Sequence, residues 1–255
     1  MMQTIVPMPL HLNSQADLEA AIHALMRQDP RLVPVFEAAG MPALRRREAG
    51  FTGLAAIVCG QQLSTASAAA IWARLSAAFD PFHHDAVRRA RADRLGRLGL
   101  SAAKIKTLKH IAHELAAERL NLDVLAHEDA DVAHNVLTAL PGIGPWTANV
   151  YLLFCLGHGD AWPAGDLAVQ EAMKIGLGLK TRPTAKEMMP LAEPWRPWRG
   201  AAAHLWWSYY RAIKKREGVI AGAPKANSVS NKVAVAKRSS TKAKLPSAKQ
   251  PGSKP

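Results

Sequence analysis

The sequence predicts an all-α fold. Hydrophobic residues make up 49% of the chain, charged residues 21% and aromatics only 6%, a balance that suits helices packed through Ala and Leu better than an aromatic-rich β sandwich. Apolar residues recur three and four positions apart in one segment after another, and Ser, Asp, Gly and Pro punctuate them where helices start and stop. At 255 residues the chain has room for one large domain or two small ones.

In chain order, "NSQADLEAAIHALMRQDP" starts a helix near Ser14, sets Leu18, Ile22 and Leu25 on one face and stops at Pro30. A second helix is expected through "RLVPVFEAAG", ending at Gly40. "FTGLAAIVCG" and "TASAAAIWARLSAAF" form two more, the latter capped by Ser64 and ending near Asp80 and Pro81, with Gln61, Gln62 and Leu63 in the joint. Ser101 caps "AAKIKTLKHIAHELA", where Ile105, Leu108 and Leu115 repeat at helical spacing while Lys104, Lys106 and Lys109 occupy other faces, the usual place of solvated lysines. "DADVAHNVLTAL" supplies the next helix, Pro145 opens "PWTANVYLLFCL", and the "PGIG" between them makes a helix–hairpin–helix. A Gly- and Pro-rich loop, "GHGDAWPAGD", ends at Asp166 and leads into the helix "LAVQEAMKIGLGL". Pro183 to Pro197 is broken by four prolines, and "RGAAAHLWWSYYRAIKKR" forms the last helix.

Beyond Gly218 the composition changes to Ala, Lys, Ser and Pro, which cannot bury enough apolar surface to offset chain entropy. The folded core is therefore expected over residues 1–218 and a disordered basic tail over 219–255. Net charge is +13 with a pI near 10.1, which points to an anionic partner, nucleic acid being the commonest. The tail carries eight basic residues and no acid, and subtracting these eight from +13 leaves +5 for the core. Cys59 and Cys155 are too few for a disulfide framework or a four-cysteine metal site and read as buried thiols in a reducing compartment. With no signal-peptide pattern and no apolar run of membrane-spanning length, the chain reads as cytoplasmic, with no membrane partner.

The hairpin carries the chemistry. Gly142 and Gly144 permit backbone angles closed to other residues and present their amides with no Cβ in the way. Pro145 suits the first helical position, and Thr147 adds another amide near the positive end of the helix, so the turn is a natural seat for a phosphate. The Gly-Lys-Ser/Thr ending of a nucleotide-binding loop is missing. An aspartate after a loop is commonly a helix cap, and Asp166 would serve as one; a helix N-terminus also favours a carboxylate's negative charge.

"LPGIGPWTANVYL", followed by that loop and an aspartate 22 residues after Gly144, resembles the helix–hairpin–helix DNA glycosylase superfamily, and within it the 3-methyladenine DNA glycosylase II branch. "GFTGLAAIVCGQQLSTASAAAIWARL", "LGLSAAKIKTLKHIA" and "WRPWRGAAAHLWW" extend the likeness over roughly Pro30 to Arg216, in the compact form without an extra amino-terminal domain. The resemblance implies two helical subdomains with an active-site cleft between them, a monomer, and double-stranded DNA with alkylated bases as partner.

The resemblance also implies roles. Asp166 matches the catalytic aspartate, Trp146 and Trp207 match base-pocket tryptophans, and Gly142, Gly144 and Thr147 the DNA-binding hairpin. Gln61, Gln62 and Leu63 align with the loop that fills the gap left by a flipped base, with Gln62 or Leu63 as the wedge. Val150 stands where some members carry an aromatic. Members with lyase activity use a lysine at the position of Trp146, so a monofunctional enzyme is implied. No cofactor or iron–sulfur cluster is expected, and no metal held by side chains; family members often hold a monovalent cation on hairpin carbonyls. His83 and His84, like His110 and His113, read as surface histidines. The other class left open is a noncatalytic helix–hairpin–helix protein that only binds DNA.

Overall fold

The computed structural model describes residues 10–221. Among them the chain forms twelve α-helices joined by short turns, and the sole extended pairing is an isolated bridge between His11 and His158. No described helix is long and apolar enough to cross a membrane. The helices fall into two groups. One comprises α3 (Gly50–Gly60), α4 (Thr65–Ala78), α5 (His84–Arg89), α6 (Ala92–Arg97), α7 (Ala102–Ala116), α8 (Ala130–Thr138) and α9 (Pro145–Tyr151). The other packs α1 (Gln15–Gln28), α2 (Val33–Ala39) and α10 (Leu167–Gly176) around α12 (Arg199–Ala221), with α11 (Ala185–Ala192) alongside. The all-α class and the two-subdomain arrangement thus match the sequence reading.

Local chemistry explains most helix starts. Ser14 and Asp17 form a reciprocal capping box, Ser64 and Ser101 accept from amides three residues on, and Pro145 occupies the first turn of α9. Leu18, Ile22 and Leu25 are fully buried, as the spacing of α1 requires.

Three expectations need correction, and one stretch for which none was stated is helical. The proline-rich stretch from Pro183 to Pro197 contains α11, because Thr184 and Glu187 form a capping box strong enough to start a two-turn helix that tolerates Pro190. Two short helices, α5 and α6, fill the segment between Pro81 and Ser101 that carries no long apolar pattern. The helix from Pro145 does not continue as α-helix to Leu156; it widens into a π-turn over Leu152–Leu156 that ends at left-handed Gly157. Finally, α12 runs to Ala221, three residues into the expected tail; the rest of that tail lies outside the described residues.

The loop from Gly157 to Gly165 is bound on every side. Leu12 N–H donates to Gly157 O and Gly159 N–H to Leu10 O, both at 2.7 Å, and Gly200 N–H donates to Gly159 O at 2.7 Å. Trp162 Nε1 donates to Met188 O and Gln170 Nε2 to Ala164 O. Beneath it lies a charge cluster. Arg199, 1% exposed, donates to both oxygens of Asp160 at 2.9 and 2.8 Å and reaches Asp131 at 3.2 Å. Arg196 bonds the same two carboxylates. Although burial opposes its charge, Asp131 is held below the usual carboxylate range by Arg196 and Arg199. The cluster ties α8, the loop and the start of α12 together.

Removing one buried partner strands the other. Arg199→Met is expected to cost about 3–5 kcal/mol in chemical denaturation, and adding Asp160→Asn should restore part of the loss. Equal stability of Arg199→Met and the wild type would remove this account of the loop.

Candidate active site

A cleft of about 340 Å³ opens between the two helix groups, within the size range of small-ligand pockets. Ala56, Ile57 and Gly60 of α3, Thr65 and Ala68 of α4 and Leu63 of the joint line one side, with Trp146, Val150 and Phe154 behind; Asp166 and Trp207 come from the other group. Arg45 and Arg47 complete the wall. Neither arginine was singled out from sequence, although the run "RRR" at 45–47 was there to be read.

Asp166 sits at the N-terminus of α10 and caps it: Oδ1 accepts from the amides of Ala168 and Val169, each at 3.0 Å. Trp207 Nε1 donates to the same oxygen at 3.0 Å, and Trp146 Nε1 donates to Oδ2 at 2.8 Å. Capping aspartate and candidate catalyst are therefore one side chain. Of the four donors three crowd Oδ1 and one reaches Oδ2, which leaves Oδ2 the oxygen with capacity for another.

The two tryptophans differ in setting. Trp146 is 42% exposed and lines the cleft. Trp207 is half-buried, its ring 5.3 Å from Phe154 and 6.3 Å from His204. His204 is itself buried and pushed down to about 4, first by burial and then by Arg45, Arg211 and Arg46. Trp206 is fully buried against Trp195, and Val150 is buried although it lines the cleft. The family resemblance singled out both tryptophans but not their bonds to Asp166, which join residues 20 and 41 positions apart.

At the hairpin the two glycines do different work. Gly142 has φ 86°, and a Cβ there would lie 1.9 Å from Thr107 Oγ1, so both conformation and packing exclude a side chain. Gly144 does not need glycine's freedom: its φ −87° and ψ 170° are ordinary extended backbone, and a Cβ would meet nothing within 4 Å. What its missing side chain leaves is open access to the amide. Among the described residues the amides of Gly142, Gly144, Trp146 and Thr147 have no backbone partner.

Thr147 is buried, and its hydroxyl accepts from Gln61 Nε2 at 3.0 Å; the same nitrogen donates to Gly142 O at 3.2 Å. Gln61 is thus pinned to the hairpin, whereas Gln62 and Leu63 are exposed. Gln62 also has φ 56°, a left-handed conformation costing a side-chain-bearing residue about 1–2 kcal/mol.

Away from the cleft, Cys59 and Cys155 are buried free thiols, each pushed up to about 12 by burial. His83 is exposed and His84 half-buried beside Asp85, but His83 Nδ1 already accepts from Asp85 N–H and Asp85 pairs with Arg88 and Arg89. His110 is half-buried and His113 exposed on α7.

The contrast at the hairpin is testable by circular dichroism melts. Gly142→Ala is expected to destabilise the protein by more than about 2 kcal/mol, because strain and overpacking combine. Gly144→Ala should stay within about 0.5 kcal/mol of wild type. Equal losses would contradict the assignment.

The family model described as HhH-GPD superfamily base excision DNA repair protein matches residues 55–197. A Mycobacterium tuberculosis relative named probable bifunctional transcriptional activator/DNA repair enzyme AlkA is 35% identical over 209 residues, covering 76% of this chain, which spans 40% of that relative's length. The crystal structure of a Bacillus halodurans DNA-3-methyladenine glycosidase superposes with a TM-score of 0.69 at 26% identity, covering 80% of this chain and 93% of that one. A Schizosaccharomyces pombe 3-methyladenine DNA glycosylase in complex with abasic DNA superposes with a TM-score of 0.64 at 27% identity, covering 74% of this chain and 95% of that one. With more than half of its length matched by that family model, this chain belongs to the HhH-GPD superfamily of base excision DNA repair proteins.

Proposed function

We propose that this chain is a monofunctional DNA glycosylase that flips alkylated bases, 3-methyladenine and 7-methylguanine among them, out of duplex DNA and hydrolyses their N-glycosidic bonds. The observation that carries the reading is the Asp166 carboxylate, facing a base-sized cleft and held by four N–H donors. Relatives named for 3-methyladenine support the substrate class.

The chemistry follows from charge. Breaking the bond to the base builds positive charge on the deoxyribose, which the fixed negative charge of Asp166 stabilises, while the free capacity of Oδ2 orients a water for attack at C1′. Bases methylated at N3 of adenine or N7 of guanine are cationic and leave readily, and the exposed ring of Trp146 attracts them. Trp146 is no nucleophile, so no Schiff base forms with the sugar and the abasic strand stays intact.

The unpartnered amides of Gly142, Gly144, Trp146 and Thr147 would take a backbone phosphate. A monovalent cation fits beside them, because the Pro141 and Ile143 carbonyls accept no hydrogen bond among the described residues, whereas Gly142 O is engaged by Gln61. Such an ion would lend the turn positive charge toward phosphate. The enzyme acts as a monomer on cytoplasmic or nucleoid DNA, with the 219–255 tail as an electrostatic tether.

Mass spectrometry of bases released from dimethyl-sulfate-treated DNA tests the reading. Wild type should release methylated purines without cutting the strand, and Asp166→Asn should slow single-turnover release about 10²–10³-fold while still binding lesion DNA. Release by the variant at the wild-type rate would remove Asp166 from the catalytic role, and no release by the wild type would leave only the DNA-binding function.

A further inference from the structure

Two lysines of α7 are half-buried and bonded to backbone carbonyls: Lys109 donates to Arg88 O at 3.1 Å, while Lys104 holds two carbonyls at once, Cys59 O and Gln61 O, each at 2.8 Å. Those carbonyls close the C-terminus of α3, where a cation is favoured by the helix dipole and by the unpaired acceptors. The residues beyond form a tight turn. Leu63 N–H donates to Gly60 O at 3.3 Å, Gln61 has φ −54° and ψ 130°, and Gln62 has φ 56°. These are the angles of a type II turn, which asks for Gly or Asn where this chain has Gln62.

Type I and type II turns differ by a flip of the central peptide, here the one joining Gln61 to Gln62. A glutamine in the second central position favours the type I form, in which the Gln61 carbonyl would point the opposite way. The bond from Lys104 to that carbonyl holds the peptide in the type II orientation. Gln61 adds a second anchor through its side chain, bonded to Gly142 O and Thr147 Oγ1 of the hairpin. Gln62 and Leu63 are then presented exposed, with Leu63 on the wall of the cleft.

We propose that Lys104 is a positioning residue for base flipping, selecting the turn conformation that aims Gln62 and Leu63 into the DNA stack. The proposal rests on the glycosylase reading above. Its action is confined to the step in which a stacked base is extruded and its place filled, so it is dispensable when the base is already unstacked.

The test compares oligonucleotides carrying one 7-methylguanine in duplex and in single-stranded form, with 2-aminopurine beside the lesion as a fluorescent reporter of unstacking. Lys104→Met is expected to lower the flipping signal and single-turnover excision from duplex by about tenfold, with single-strand excision within about twofold of wild type. Lys104→Arg, which keeps the cation, should retain duplex activity. If Lys104→Met fails to fold, Lys104→Gln, which is shorter and uncharged, carries the same comparison. Equal losses on both substrates, or no loss on either, overturn the proposal while leaving the glycosylase reading intact. A wild-type protein that excises from neither substrate overturns both.

Discussion

Four N–H groups from three separate helices converge on one carboxylate. Ala168 and Val169 donate from the first turn of α10, Trp207 from α12 and Trp146 from the start of α9. A carboxylate at the edge of a partly apolar cleft needs such donors, because polar oxygens taken from water without hydrogen bonds are costly. The requirement fixes the relative placement of both helix groups: move either one by more than a hydrogen bond's tolerance and Asp166 loses a tryptophan. The same bonds orient the two indoles, so the rings that would face a base and the charge that would face a sugar are set by one constraint.

The rest of the fold serves that placement. The Arg199–Asp160 pair and its neighbours, Arg196 and Asp131, lock the loop preceding Asp166 to the root of the helix that carries Trp207. On the opposite side, α7 supports the hairpin and the joint at once, Thr107 packing against bare Gly142 and Lys104 holding the end of α3. Gln61 bridges the two turns. Hairpin and joint are therefore parts of one bonded unit, which, under the proposed function, would register phosphate binding at one against insertion at the other.

Much of this was legible in the sequence where the cause is local. Ser14, Ser64 and Ser101 cap the helices they were expected to cap, Pro145 starts α9, and the apolar spacing of α1 places its core residues correctly. Asp166, Trp146 and Trp207, singled out through the family resemblance, do line one cleft. What stayed hidden depends on contacts distant in sequence: the tryptophan–carboxylate bonds, the charge cluster, and Lys104, whose neighbours on the helix give no sign that it is engaged. Gly144 misled in a different way, since a glycine needed for access looks the same as one needed for conformation. The helix within the proline-rich segment was missed because four prolines outweighed a capping box.

The central claim is that Asp166 supplies fixed negative charge to a sugar that becomes positive as its base departs. Duplexes containing a pyrrolidine abasic analogue, cationic at the position of the sugar ring, and a neutral tetrahydrofuran analogue measure that directly. The account predicts that the protein binds the pyrrolidine duplex at least about 10²-fold more tightly, in the range of transition-state analogues, and that Asp166→Asn erases the difference. Equal affinity of the wild-type protein for the two duplexes would contradict it.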